Sequence, residues 1–128
     1  MKKQTLSYKD NQLHIEKLPL EELANNFGTP LYAYSYNAIK ENFLAYQNAL
    51  KGQPHLICYA VKANGSLAIL NALAKLGAGF DIVSQGELER VLAAGGDPKK
   101  IIFSGVGKQK AEIQRALDQR IHSFNIES

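Results

Sequence analysis

A lysine that ends an apolar run is the first group in this sequence able to do covalent chemistry. Lys62 sits in Tyr59-Ala60-Val61-Lys62-Ala63-Asn64. Read as a strand, the segment turns Cys58, Ala60 and Lys62 to one face and Ile57, Tyr59 and Val61 to the other. The Lys62 face carries small residues and leaves room beside the amine for a large group. Desolvation in such a pocket disfavours the ammonium form, and a neutral amine attacks a carbonyl to form a Schiff base. A lysine that snorkels to water at a strand end fits the same spacing. Spacing alone leaves both readings open. Asp81 is the second candidate, because it lies inside the apolar stretch Phe80–Val83, where a buried carboxylate needs a partner. It pairs with Lys62 if adjacent strands align, or with backbone N–H groups at a strand end. Pairing would favour the charged lysine and oppose desolvation. Glu87 falls in the first turn of the next helix, where an acid suits the helix dipole.

Two glycine motifs invite a phosphate and do not complete it. Gly105-Val106-Gly107-Lys108 lacks the P-loop's glycine at 102 and its Ser or Thr at 109, where the chain has Ile102 and Gln109. Gly77-Ala78-Gly79 opens like a dinucleotide fingerprint, but Ile82 stands where the last glycine belongs. Both read as turns, which disfavours an ATPase or a Rossmann dehydrogenase. His14, His55 and His122 are isolated and Cys58 is the only cysteine, so no metal ligand set and no disulfide framework is expected.

These groups need elements to hold them, and the chain supplies a regular series. Thr5–Tyr8 and Leu13–Glu16 bracket a polar turn and read as a hairpin. Pro19 reads as the first residue of a short helix that Gly28 stops. Strands follow at Leu31–Tyr34, Leu56–Val61, Phe80–Val83, Ile101–Ser104 and Ser123–Ile126. Helices lie between them: one capped by Ser35, one opened by Ser66 and closed by Gly77, then Gln85–Ala94 and Gln109–Asp118. Strand and helix alternate about every 20 to 25 residues, the signature of βα units on a parallel sheet. The strands are apolar on both faces, as helix-covered strands are.

The chain has 128 residues, 45% of them hydrophobic and 21% charged, so it is an ordinary globular sequence long enough for one domain. It is also about half of a closed (β/α)8 barrel, which takes about 250 residues. A net charge of +3 is spread evenly along the chain, and Lys2-Lys3 and Lys99-Lys100 read as solvated surface. Neither a nucleic-acid footprint nor an apolar run of membrane length is present. With no apolar run after Lys2-Lys3 to make a signal peptide, the cytoplasm is the expected location.

Taken together, several segments resemble a known family. Tyr59–Asn64, Gly79-Phe80-Asp81-Ile82-Val83-Ser84 and Gln85-Gly86-Glu87-Leu88 resemble the fold-type III pyridoxal-phosphate decarboxylases. Gly28-Thr29-Pro30-Leu31-Tyr32, Phe103-Ser104-Gly105-Val106-Gly107-Lys108 and Phe124-Asn125-Ile126-Glu127-Ser128 narrow the resemblance to the diaminopimelate decarboxylases. It covers nearly the whole chain. It implies an alanine-racemase-like (β/α)8 TIM barrel, of which residues 18–128 are the N-terminal half. Residues 1–17 would be a hairpin segment joining a C-terminal β domain. It implies that Lys62 carries pyridoxal 5'-phosphate, that Asp81 and Ser104 lie against the cofactor, and that Ala60 and Glu87 stand behind them. The implied reaction turns meso-diaminopimelate into L-lysine and carbon dioxide in a homodimer. The family's phosphate loop, the partner of its pyridine nitrogen and its substrate-carboxylate residues lie downstream of Ser128, so the 128 residues alone are expected to be inactive. Lys62 would serve two other readings equally: an ornithine- or arginine-type decarboxylase or alanine racemase, and a non-catalytic cofactor-binding half barrel.

Overall fold

The computed structural model describes residues 5–127, and Lys2-Lys3 and Ser128 lie outside them. Two compact units divide the chain, 1–42 and 43–128. In the first, β1 (Leu6–Lys9), β2 (Gln12–Ile15) and β3 (Leu18–Pro19) form an antiparallel sheet in that order. Lys9 pairs with Gln12 across a two-residue turn. Asp10 and Asn11 make that turn at φ 48° and 58°; these short polar residues tolerate the left-handed region that a twisted hairpin requires. β3 was not expected. Pro19 ends it and precedes α1 (Leu20–Phe27) instead of opening the helix.

Residues 31–34 form no strand. A strand is defined by its ladder, and this segment finds no ladder partner among the described residues. Leu31, Tyr32 and Tyr34 are accordingly exposed. Ser35 caps α2 (Tyr36–Ala49) as expected: its Oγ accepts the Ala38 N–H at 3.0 Å. The Ser35 hydroxyl in turn donates to Glu16 Oε1, and the Asn37 amide donates to Glu16 Oε2 at 2.6 Å. These bonds hold the Glu16 carboxyl below its ordinary value, the Ser35 bond most of all.

The second unit carries the parallel sheet. Its strands are β4 (Cys58–Ala60), β5 (Gly79–Ile82), β6 (Ile101–Phe103) and β7 (Ser123–Phe124), hydrogen-bonded in chain order. Helices α3 (Leu67–Lys75), α4 (Gln85–Ala93) and α5 (Lys110–Asp118) connect them. β4, β6 and β7 are shorter than the apolar runs suggested, because pairing stops where the chain turns into each loop or helix, and β5 keeps its expected length one residue earlier.

Ala60, Asp81, Ile102 and Ser123 are register partners across the sheet, each 21 residues on from the last. They share one face, and each is only half-buried. The other face is the core: Phe80, Ile82, Ile101 and Phe103 are fully buried, with Leu70 from α3, Leu88 and Val91 from α4, and Ala116 from α5. Each of the larger side chains among them contributes about 1.5–3 kcal/mol by leaving water. The close approach of strands shows at Gly79, where an added Cβ would lie 2.6 Å from the Lys100 carbonyl oxygen and 2.7 Å from Cys58 Sγ.

The helix N-termini are tied to each other at the C-terminal end of the sheet. Glu112 Oε1 accepts the Gln85 N–H at 2.9 Å and its Oε2 accepts the Gln109 N–H at 3.0 Å. These two bonds, Gln85 first, hold the Glu112 carboxyl below its ordinary value of 4.5. A carboxyl lowered on folding adds stability that is complete well above that ordinary value and is lost as pH falls through the lowered one. Glu112→Gln should therefore cost about 1 kcal/mol at neutral pH, the usual value of a cap. The gap from wild type should close as pH drops through the carboxylate range, read by urea unfolding; a gap independent of pH would contradict it.

Candidate active site

The C-terminal end of the parallel sheet collects the residues singled out by the sequence. β4 ends at Ala60, and Val61–Ala63 form a single 3-10 turn. The turn buries Val61, 1% exposed, on the helix side and carries Lys62 beyond the last strand residue. Tyr59 Oη donates to the Asn64 carbonyl at 3.3 Å, and Asn64 Oδ1 accepts the Ser66 N–H at 2.9 Å, which fixes the exit of the turn.

One expectation is corrected here, and one alternative is narrowed. Lys62 follows strand β4 instead of ending it, so strict alternation does not place its side chain. Its side chain is exposed among the described residues, one of the two readings the spacing left open. Among the described residues its amine has neither a hydrogen bond nor an ion pair; the salt bridges there are Lys108–Glu127 and Arg115–Glu89. Pairing of Lys62 with Asp81 is thus absent among the described residues.

Asp81 has another partner. The Ser104 hydroxyl donates to Asp81 Oδ1, and the Asn125 side-chain amide donates to Ser104 Oγ at 2.9 Å. Asn125 lies in the motif Phe124–Ser128, which by itself assigns it no role. The 21-residue register was the available signal, since it sets Ser104 beside Asn125 just as it sets Phe103 beside Phe124. The charge on Asp81 reaches Cys58: burial, and then Asp81, push its thiol up. Cys58 is thereby a poor nucleophile.

Ala60 lies directly opposite Asp81 in the register. Glu87 stands apart from this cluster. Its Oε2 accepts the Val83 N–H at 2.7 Å, and its own N–H goes to Ser84 Oγ at 3.2 Å. The Ser84 bond caps α4, and the bond to Val83, one residue before the cap, pins the turn that leaves β5. No three His, Cys, Asp or Glu among the described residues are grouped to hold a metal. A cavity of about 480 Å³ belongs to the first unit, lined by Leu18, Leu23, Phe27 and Tyr34 among others, and includes none of these residues.

The donor set suits a carbonyl-bearing ring. An unpartnered primary amine supplies a nucleophile. The small Ala60 leaves space on the neighbouring face. A carboxylate with its hydroxyl partner fixed offers a defined polar contact.

Residues 36–128 match the family described as pyridoxal-dependent decarboxylase, pyridoxal binding domain. Over 124 residues the chain is 58% identical to the diaminopimelate decarboxylase of Pseudomonas aeruginosa, covering 97% of this chain and 30% of that protein. With the Vibrio cholerae protein of the same name it shares 60% over 119 residues, 93% of this chain and 28% of the relative. The chain therefore spans about 30% of the length of the curated relatives it matches. Among solved structures, the diaminopimelate decarboxylase of M. jannaschii in complex with L-lysine superposes at a TM-score of 0.93, with 42% identity over 97% of this chain and 30% of that one. A lysine/ornithine decarboxylase of Vibrio vulnificus bound to cadaverine reaches 0.77 at 28% identity, over 85% of this chain and 29% of that one. These likenesses bear out the expected fold, the N-terminal part of the (β/α)8 barrel these enzymes share.

Proposed function

The chain belongs to the pyridoxal-dependent decarboxylases through their pyridoxal-binding domain, and from that premise we propose that it is the N-terminal part of an enzyme converting meso-diaminopimelate to L-lysine. The observation that carries the substrate is the contrast in identity. It is 58% and 60% to diaminopimelate decarboxylases over nearly the whole chain, against 28% to the lysine/ornithine decarboxylase. The activity is that of the complete protein, and the 128 residues by themselves are expected not to turn over. In the complete protein, residues 18–128 begin the barrel and residues 1–17 go with a C-terminal β domain. The working form is a cytoplasmic homodimer. No helix among the described residues is long and apolar enough to cross a membrane.

Pyridoxal phosphate, when bound, supplies an electron-accepting ring that lets a carboxylate leave as carbon dioxide. Lys62 is the residue that holds it, through the amine that carries no other bond among the described residues. Asp81, with Ser104 behind it, presents a carboxylate on the face next to Ala60. Its task is to bind and orient. A rigid polar contact keeps the reacting groups in one geometry, and misplacement by about 1 Å costs on the order of 10²-fold in rate. Glu87 acts at one remove, by fixing the turn after β5.

The test is product analysis with the complete protein. Incubation with meso-diaminopimelate and pyridoxal phosphate should give lysine and carbon dioxide in equal amounts. Ornithine, arginine and lysine, offered in parallel, should be poor substrates, and alanine should not racemise. Preferential use of ornithine or arginine would overturn the substrate and leave the family untouched. Cofactor binding without turnover of any of them would favour a non-catalytic module.

A further inference from the structure

The loop Gly105-Val106-Gly107-Lys108, which resembles a phosphate motif and does not complete one, has a different use in the fold. Lys108 is almost buried, its side chain 10% exposed. Its Nζ donates to the carbonyl oxygen of Gly105 and to that of Asn125 at 2.8 Å. It lies 3.9 Å from Glu127 Oε2 and 5.8 Å from the centroid of the Phe103 ring. Glu127 Oε1 also accepts the Gly105 N–H at 3.1 Å. One ammonium thus ties the loop leaving β6 to the segment leaving β7, and its donors point inward at backbone instead of outward at a ligand.

The tie bears on Asp81 through a directed chain of hydrogen bonds. The Asn125 amide nitrogen can only donate, so Ser104 Oγ accepts from it. A hydroxyl has one proton, and that proton is then committed to Asp81 Oδ1. The direction of the chain depends on where the Asn125 side chain sits. That depends on the Asn125 backbone, whose carbonyl Lys108 holds and whose N–H is bonded to the Phe103 carbonyl at 2.9 Å.

We propose that Lys108 is a positioning residue, which through Asn125 and Ser104 fixes the orientation of the Asp81 carboxylate beside Lys62. The proposal rests on the cofactor reading above. It adds two residues to which no role in the site was given, and it turns the failed phosphate motif into a support for the site's acidic group.

A double-mutant cycle in the complete protein tests it. Lys108→Met should lower kcat for decarboxylation about 10- to 100-fold, the scale of a misplaced contact. The pH at which the visible band of the lysine-bound cofactor changes should shift as well. Placed on Ser104→Ala, the same change should add little, because the chain is already cut. Asn125→Ala, at an exposed position, should reproduce the effect without disturbing the buried amine, and it serves if Lys108→Met fails to fold. In the cofactor-free complete protein, Lys108→Met should speed hydrogen exchange at 104–107 and 125–127 with the rest unchanged. Losses that multiply in the double variant, or an unshifted band with full kcat in either single variant, would overturn the proposal. If the wild-type protein releases no carbon dioxide yet shows a lysine-bound band, the substrate assignment falls and the band's pH shift decides this proposal. If it shows no such band, both fall.

Discussion

Replacing Lys62 by Ala in the complete protein is expected to abolish the visible absorbance of the lysine-bound cofactor and to lower decarboxylation by more than about 10³-fold. The size follows from the role. Lys62 is the one group at the end of β4 that could bond a carbonyl, and its amine has no structural partner among the described residues whose loss could account for a change. Its exposed position on a 3-10 turn means that the substitution should leave folding nearly intact. Lys62→Arg separates covalent chemistry from charge. A guanidinium stays protonated in proteins and cannot act as a nucleophile. If Lys62 served only as a cation, the Arg variant would keep much of the activity; here it should be as inactive as Ala. An unchanged visible spectrum in either variant would overturn the assignment.

Phe103→Ala should be the most destabilising simple truncation near the site, at about 3–5 kcal/mol. Phe103 is fully buried, stacks on Phe124 with ring centroids 5.8 Å apart, and lies under the Lys108 ammonium. Its removal leaves a cavity between β6 and β7 and strips one wall from the buried cation. Against a domain stability of about 5–15 kcal/mol, this is a large fraction of the whole. Urea unfolding of the complete protein measures it, and a loss below about 1 kcal/mol would show that the helix-covered face is not what holds this region together.

The sequence alone was enough for the order of elements from β4 to β7, the helices between them and the parallel sheet. Each of those signals is local: apolar runs, caps such as Ser35, and glycine stops such as Gly77, which sits at φ 87°. It was enough also to single out Lys62 and Asp81, because a lysine after an apolar run and a carboxylate inside one both conflict with burial. Alternation about every 20 to 25 residues was visible in outline, and the 21-residue register was not.

Tertiary structure decided the rest. Residues 31–34 have strand-like composition and no ladder, since pairing depends on a neighbour that a local pattern cannot supply. Lys62 leaves the strand on a 3-10 turn, because the ladder to β5 ends at Ala60, and alternation has no hold beyond the last paired residue. Asp81 finds Ser104 and not Lys62, and Asn125 and Lys108 stand behind Ser104. Those bonds join residues 17 to 23 positions apart. Their existence is fixed by the register of three parallel strands, and register is a property of the assembled sheet, not of any one segment.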